Sequence, residues 1–133
     1  MHSVLGLDFG TTNTVMALPE GPRARALTLD LGEEQITALR SALCFWREDG
    51  KTGVEAGPRA ISRFIEDPED VRFIQSFKTF AASPHFQGTY IFGKRYTFEA
   101  LLETFLARIA QQTWAQPSDL PRKIVVGRPV AFA

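Results

Sequence analysis

The sequence has little of what many classes of protein require. It holds one cysteine, Cys44, in 133 residues, so an internal disulfide is excluded. His2 and His85 have no cysteine or carboxylate at the spacing of metal ligands, so we expect surface histidines rather than a zinc site. The 15 basic and 15 acidic residues cancel and are scattered along the chain. Neither a nucleic acid nor an anionic membrane is therefore an expected partner.

Long apolar runs are also missing. No stretch reaches the ~20 residues needed to span a bilayer, and no basic region precedes the first apolar run, as it would in a signal peptide. We therefore expect a soluble, cytoplasmic protein. The hydrophobic fraction of 44% and 11 phenylalanines are typical of a globular core. Cys44, inside the apolar run 42–46, is expected to be a buried core thiol rather than a nucleophile.

The strand signals come in two groups. Residues 3–9, 14–19 and 24–31 predict three strands with short links, which favours an antiparallel meander. Residues 41–47 predict a fourth strand, followed by a turn at 48–50 and a short strand near 53–56. Residues 90–96 predict a short hairpin, and the β-branched run 123–127 predicts a buried parallel strand.

Three helix starts are visible. Pro58 is placed for a first helical turn, and Asp67-Pro68 combines a capping aspartate with a proline, which would explain the acidic run that follows. The clearest helix covers residues 98–114, with Thr97 as its cap. Helices and strands in this order predict a mixed α/β architecture.

One phosphate-binding pattern is a false match. Residues 88–94 approach the pattern of glycine, four residues, then Gly-Lys. Arg95 stands where a hydroxyl should ligate magnesium, and the intervening Tyr-Ile-Phe is strand-like. We expect a hairpin there, without a phosphate site.

The stretch VLGLDFGTTNTVMAL, residues 4–18, carries the main chemical signal. Asp8 ends an apolar strand, where a buried carboxylate would need a compensating partner. A tight turn after a strand exposes backbone N–H groups that can bind an anion. Gly10 would permit close approach of a phosphate, and Thr11, Thr12 and Asn13 add donors.

Asp8 could then hold magnesium through the waters that this ion retains. The alternative is a hairpin with a polar tip, in which Asp8 accepts hydrogen bonds from the turn amides. The residues alone leave both interpretations open.

Residues 7–14 resemble the first phosphate loop of the actin-like ATPase superfamily, in the form typical of DnaK-type seventy-kilodalton heat-shock chaperones. Further landmarks follow in the family's order. Residues 40–45 are similar to its Thr-Pro-Ser-hydrophobic strand, 57–60 to a glycine at a helix start, and 67–68 to an Asn-Pro. Residues 76–78 fall on the segment bearing the catalytic lysine, and 125–132 resemble the Val-Pro-Ala-Tyr-Phe segment.

The chain also departs from the family. Thr79 and Ala82 replace the arginine and glycine expected after the lysine, and residues 127–129 are Gly-Arg-Pro rather than Thr-Val-Pro. These features are similar to the divergent YegD-like branch. Taken alone, a lysine on a helix with Phe73, Phe77 and Phe80 would be a snorkelling surface residue. The resemblance implies instead that Lys78 is catalytic.

The resemblance implies an actin-like ATPase (ribonuclease H-like) fold, of which this chain would be a fragment of lobe I with a mixed sheet. Residues 1–34 and 97–133 would form part of subdomain IA, and 35–96 an inserted α+β subdomain IB. Because the chain stops directly after a predicted strand, we expect an N-terminal fragment of a longer protein. The adenosine pocket and the second phosphate loop would lie outside it.

The implied activity of that longer protein is hydrolysis of ATP to ADP by a chaperone, with magnesium as cofactor. Gly10, Thr11, Thr12 and Asn13 would cradle the β- and γ-phosphates, Asp8 would order the hydrated magnesium, and Lys78 would contact the γ-phosphate and the attacking water. Client proteins, and possibly cochaperones, would bind through regions absent from this chain. The fragment itself should be inactive and should self-associate through the strand edge at residues 124–126.

Two other functions remain compatible with the sequence. A sugar or acetate kinase of the same superfamily would share the first loop and transfer phosphate to a small molecule. A non-catalytic interaction module would keep the fold without turnover.

Overall fold

The computed structural model describes residues 4–31, 34–113 and 123–126. It is a mixed α/β molecule with several antiparallel sheets and few helices. The first elements in chain order are β1 (Val4–Phe9), β2 (Asn13–Glu20), β3 (Arg23–Ala26), β4 (Leu29–Leu31), β5 (Glu34–Ile36), β6 (Ala38–Arg40), β7 (Ala42–Glu48) and β8 (Lys51–Ala56). They are followed by α1 (Pro58–Glu66), β9 (Val71–Gln75), α2 (Thr79–Ala82), β10 (Thr89–Ile91), β11 (Lys94–Tyr96), α3 (Phe98–Thr113) and β12 (Lys123–Val126).

The larger sheet has the strand order β12-β1-β2-β3, and β6 also pairs with β2. The antiparallel pairing of β1, β2 and β3 confirms the predicted meander. β12 pairs with β1 in parallel, with Leu5 opposite Ile124, which confirms the predicted direction. The third predicted strand is divided, because β4 leaves this sheet and pairs with β5.

The smaller sheet has the order β8-β7-β9, so β7 is central. Leu43, Cys44 and Phe45 of β7 are fully buried, since neighbouring elements cover both faces of this strand. Asp49 and Gly50 form the predicted turn between β7 and β8, and both have positive φ, 52° and 75°. A two-residue hairpin turn of this hand suits the twist of the strands.

The helix predicted to start at Asp67 is wrong. Asp67 ends α1, where its N–H donates to the Arg63 carbonyl, and the chain then enters β9, which pairs with β7. Phe73 on β9 stacks on Phe64 of α1, with ring centroids 4.5 Å apart. The hydrogen bonds between β9 and β7 and the packing of β9 on α1 outweigh the local capping pattern at Asp67. Phe73 therefore does not share a helix with Lys78.

The helix α3 begins as predicted, since the Thr97 hydroxyl oxygen accepts a hydrogen bond from the Ala100 N–H at 3.2 Å. Trp114, its predicted end, lies outside the described residues. β10 and β11 form the predicted hairpin through a turn at Phe92 and Gly93, with φ of 50° and 84°. The false phosphate-loop match is therefore a hairpin.

One hydrophobic core contains residues from both of the predicted parts, subdomain IA and subdomain IB. Phe9 and Phe105, from residues 1–34 and 97–133, pack against Phe77 from residues 35–96, with ring centroids 5.2 and 5.8 Å from that of Phe77. These boundaries stay a prediction. Within the described part of the chain, no helix is long and apolar enough to cross a membrane. His85 is exposed, as predicted, and His2 lies outside the described residues.

Candidate functional site

The turn between β1 and β2 is closed by its own backbone. The Gly10 N–H donates to the Asn13 carbonyl at 2.9 Å. A Cβ at position 10 would lie 2.6 Å from that same oxygen, closer than side-chain carbons approach. The turn itself therefore requires glycine, whereas the sequence suggested that room for a phosphate was the reason.

Unused donors remain on the outer part of this turn. Thr11, Thr12 and Asn13 are exposed. The N–H groups of Thr11 and Thr12 make no hydrogen bond with the described residues. The turn thus presents two free amides beside polar side chains, an arrangement that can bind an anion. The Gly10 N–H is already used and does not contribute.

Asp8 is exposed, so its predicted burial is wrong. The side chains of β1 alternate between the two faces of the sheet. Leu5, Leu7 and Phe9 point into the core, so Asp8 points to solvent. The carboxylate needs no compensation for lost hydration. Among the described residues it forms no ion pair and accepts no hydrogen bond from the turn amides, so the bonds that the polar-hairpin interpretation gave Asp8 are not found, although the turn is a hairpin with an exposed polar tip.

The residues at this turn fit a hydrated magnesium ion better than a fully protein-ligated metal. No group of three or more His, Cys, Asp or Glu side chains suited to a metal exists in the described ranges. Magnesium usually keeps several waters and uses one or two carboxylates together with substrate phosphates. A single exposed carboxylate beside free amides meets that requirement.

Lys78 comes to this turn from a distant part of the chain. Its Nζ donates to the Phe9 carbonyl at 2.7 Å, across 69 residues of sequence. The adjacent Phe77 is fully buried and packs on Phe9 with ring centroids 5.2 Å apart, which anchors the backbone that carries the lysine. The structure therefore brings Lys78 to the backbone between Asp8 and the turn from Gly10 to Asn13.

The charges at the turn are not neutralised by each other. Lys78 bonds to the Phe9 carbonyl and forms no ion pair with the Asp8 carboxylate. An ammonium group has three donors, so two remain after the bond to Phe9. One cation, one carboxylate and two free amides therefore lie around a single turn.

Sequence reasoning missed two residues of this site, Thr14 and Ser41. Both are buried, with 0% and 1% of the residue surface exposed, and their hydroxyl oxygens lie 2.8 Å apart. Ser41 Oγ also donates to the Gly10 carbonyl at 2.9 Å. The sequence feature that could have identified Ser41 is its position directly before the apolar run 42–46. A hydroxyl carried into the core with that run needs a partner.

The Cys44 thiol lies apart from this site. It is fully buried in β7, as predicted. Burial raises the pKa of Cys44 above its ordinary value of 9.0, and the charge of Arg63 opposes this by a smaller amount. Because the thiolate is the nucleophile, the thiol is inert at neutral pH.

No protein-family model matches the chain.

Proposed function

We propose that the chain is the N-terminal part of an ATP-hydrolysing nucleotide-binding domain of the DnaK type, with the actin-like fold. The observation that carries this proposal is the bond from Lys78 to the Phe9 carbonyl. That bond places a cation beside the turn whose sequence resembles a phosphate loop. Lys78 is half-buried and bonded to a backbone carbonyl. It therefore differs from a surface lysine, whose ammonium group stays in solvent.

The turn is suited to the demands of phosphoryl transfer, which asks a protein mainly to position phosphates and to offset their charge. The Thr11 and Thr12 amides would donate to phosphate oxygens. The two free donors of the Lys78 ammonium would contact the γ-phosphate and orient the attacking water. Magnesium, held by Asp8 through water, would supply charge neutralisation. The resemblance implies that the adenosine pocket lies outside this chain, so the 133-residue chain should not turn over ATP alone.

The test is Lys78→Ala in the longer protein that contains this chain. Removing one preorganised charge from such a site should lower the rate of ATP hydrolysis at least ~100-fold. Lys51→Ala is the matched control, because Lys51 is exposed in the β7–β8 hairpin and makes no contact with the turn. Phosphate release by the Lys78 variant at the wild-type rate would overturn the assignment.

Two further outcomes separate the other functions. A phosphorylated small molecule among the products would indicate a kinase of the same superfamily. Failure of the intact protein to bind Mg-ATP in calorimetry would indicate a non-catalytic module.

A further inference from the structure

Two buried hydroxyls lie directly behind the turn. Ser41 Oγ donates to the Gly10 carbonyl at 2.9 Å and lies 2.8 Å from Thr14 Oγ1. A hydroxyl has one proton to donate. Because Ser41 uses its proton on Gly10, Thr14 is the donor to Ser41. The hydrogen bonds therefore run in one direction, from Thr14 through Ser41 to the Gly10 carbonyl.

The backbone of Ser41 extends this connection in two directions. Its N–H donates to the Thr12 carbonyl at 2.8 Å, and its carbonyl accepts from the Ser76 N–H at 3.3 Å. Ser76 begins the segment that carries Lys78 and has a φ of 55°, uncommon for a residue other than glycine. Ser41 is thus bonded to the turn at two points and to the lysine segment at a third.

Two adjacent carbonyls of the turn are held from different parts of the chain. The Phe9 carbonyl accepts from Lys78, and the next carbonyl, that of Gly10, accepts from Ser41. The bond from Lys78 therefore orients the peptide between Phe9 and Gly10, the bond from Ser41 orients the peptide between Gly10 and Thr11, and these two peptides share the Gly10 Cα. Hydrogen bonds that are shielded from solvent, as these two are in part, polarise and strengthen one another.

From this geometry we infer that Thr14 and Ser41 are positioning residues, which hold the turn and the Lys78 ammonium in their mutual arrangement. Neither hydroxyl is exposed, so neither touches a ligand at the surface of the turn. Their consequence for catalysis rests on the proposed function. The coupling between Ser41 and Lys78 belongs to the fold and can be measured without nucleotide.

The experiment compares the acylation rates of Lys78 and Lys51 in one sample of the full-length protein, by peptide mass spectrometry. Lys51 is exposed and serves as the internal reference. In Ser41→Ala the Gly10 carbonyl loses its donor, and the loosened turn should weaken the bond from Lys78 to the Phe9 carbonyl. The ratio of Lys78 to Lys51 modification should then rise about fivefold, the effect of weakening that bond by the net strength of one ordinary hydrogen bond. An unchanged ratio in a folded variant would overturn the inference.

The double variant Ser41→Ala/Thr14→Val separates positioning from simple stability. Ser41→Ala alone leaves the Thr14 hydroxyl buried without a partner, which is costly, whereas removing both hydroxyls can be nearly neutral. The double variant should therefore recover stability in denaturant unfolding while the Lys78 ratio stays raised. A ratio that returns to the wild-type value together with stability would show a merely structural role. If Ser41→Ala does not fold, the double variant carries the same test.

Thr14→Ser is the matched control, since it keeps the hydroxyl and loses only a buried methyl. It should lower stability and leave the Lys78 ratio unchanged. A raised ratio in this control would attribute the effect to packing and overturn the inference.

ATP turnover by the same variants provides a separate measurement. For Ser41→Ala we expect kcat to fall with little change in KM, because the lysine acts on the transferred phosphate. An increase in KM with an unchanged kcat would overturn the positioning role in catalysis. If the wild-type protein does not hydrolyse ATP, the proposed function fails while the lysine reactivity still decides the coupling.

Discussion

Asp8 illustrates how a single side chain can take little part in folding. Its carboxylate is exposed at the end of β1 and forms no ion pair with the described residues. An exposed, unpaired charge contributes little to stability. Selection at this position can therefore act on ligand binding with little effect on the fold.

Asp8→Asn should separate these two roles in the longer protein. On the proposed function we expect the rate of ATP hydrolysis to fall at least ~100-fold, because the site would lose the charge proposed to order the hydrated magnesium. The melting temperature should change little. Asp70→Asn, on the exposed acidic run before β9, is the control and should keep both properties. A large loss of stability in Asp8→Asn would show that the carboxylate serves folding.

Cys44 predicts a dependence of stability on pH. Burial raises the pKa of the folded thiol above the ordinary 9.0, so the folded state favours the protonated form. The resulting stability is fully present below pH 9 and is lost as the pH rises through the folded pKa. Denaturant unfolding at several pH values should show this fall, and Cys44→Ala should make it shallower. The same slope in both proteins would contradict the assignment.

For individual residues, the environment and contacts could be predicted from the sequence in some cases only. The alternation of Leu5, Leu7 and Phe9 was enough to predict an exposed Asp8, yet treating residues 4–9 as one apolar run suggested burial. The contact of Lys78 with Phe9 joins residues 69 apart. No local spacing predicts such a contact, and only the resemblance of residues 76–78 to a known segment pointed to it.

Among the secondary-structure elements, the attachment of α3 to β8 depends on a charged cluster. Arg108 of α3 lies 2.6 Å from the Glu55 carboxylate, and the two side chains are only 30% and 20% exposed. Gln112, one turn further along α3, donates to the same carboxylate at 3.3 Å. Glu55 thus holds two successive turns of the helix against the smaller sheet.

Glu55→Gln should loosen this attachment. Loss of the charge from a partly buried hydrogen bond should lower the free energy of unfolding by about 1.5 kcal/mol. Glu20→Gln is the control, because the Glu20–Arg25 pair is 65% and 57% exposed and such surface pairs contribute about 0.2–1 kcal/mol. Urea denaturation measures both. Equal losses in the two variants would show that Glu55 has no special role.

The elements differ in how well they could be predicted. Strands β1 and β2 and helix α3 follow from apolar periodicity, since each buries one face. The region of Asp67 was mispredicted because a capping aspartate and proline are local signals, whereas β9 forms by pairing with a strand more than twenty residues earlier. Tertiary pairing of this kind overrides local preference.

For the whole molecule, the outer position of β12 predicts self-association. Within the described ranges no strand pairs with the far side of β12, and Val125 is 51% exposed there. At Val125 this corrects the prediction of a buried parallel strand. An apolar strand edge can pair with the edge of another copy. We therefore expect the 133-residue chain to form dimers or larger species.

Val125→Lys should reduce this association, since a lysine on an edge strand opposes pairing. Ile65→Lys is the control, because Ile65 is even more exposed, at 71%, but lies on helix α1. Light scattering across a concentration series measures both. Equal reduction by the two substitutions would indicate a general hydrophobic effect, and a monomeric wild-type chain would contradict the prediction.

The pairing of β1 with β12 has a consequence for how the molecule is made. Of the described elements, β1 is synthesised first and its parallel neighbour β12 is synthesised last. Contacts between such distant segments form slowly, because a long loop must close first. Until then, β1 can pair only with β2. The residues of the turn at Gly10 and Lys78 itself are all synthesised before β12, so the contacts of the turn can form during translation while the sheet is still open on one side.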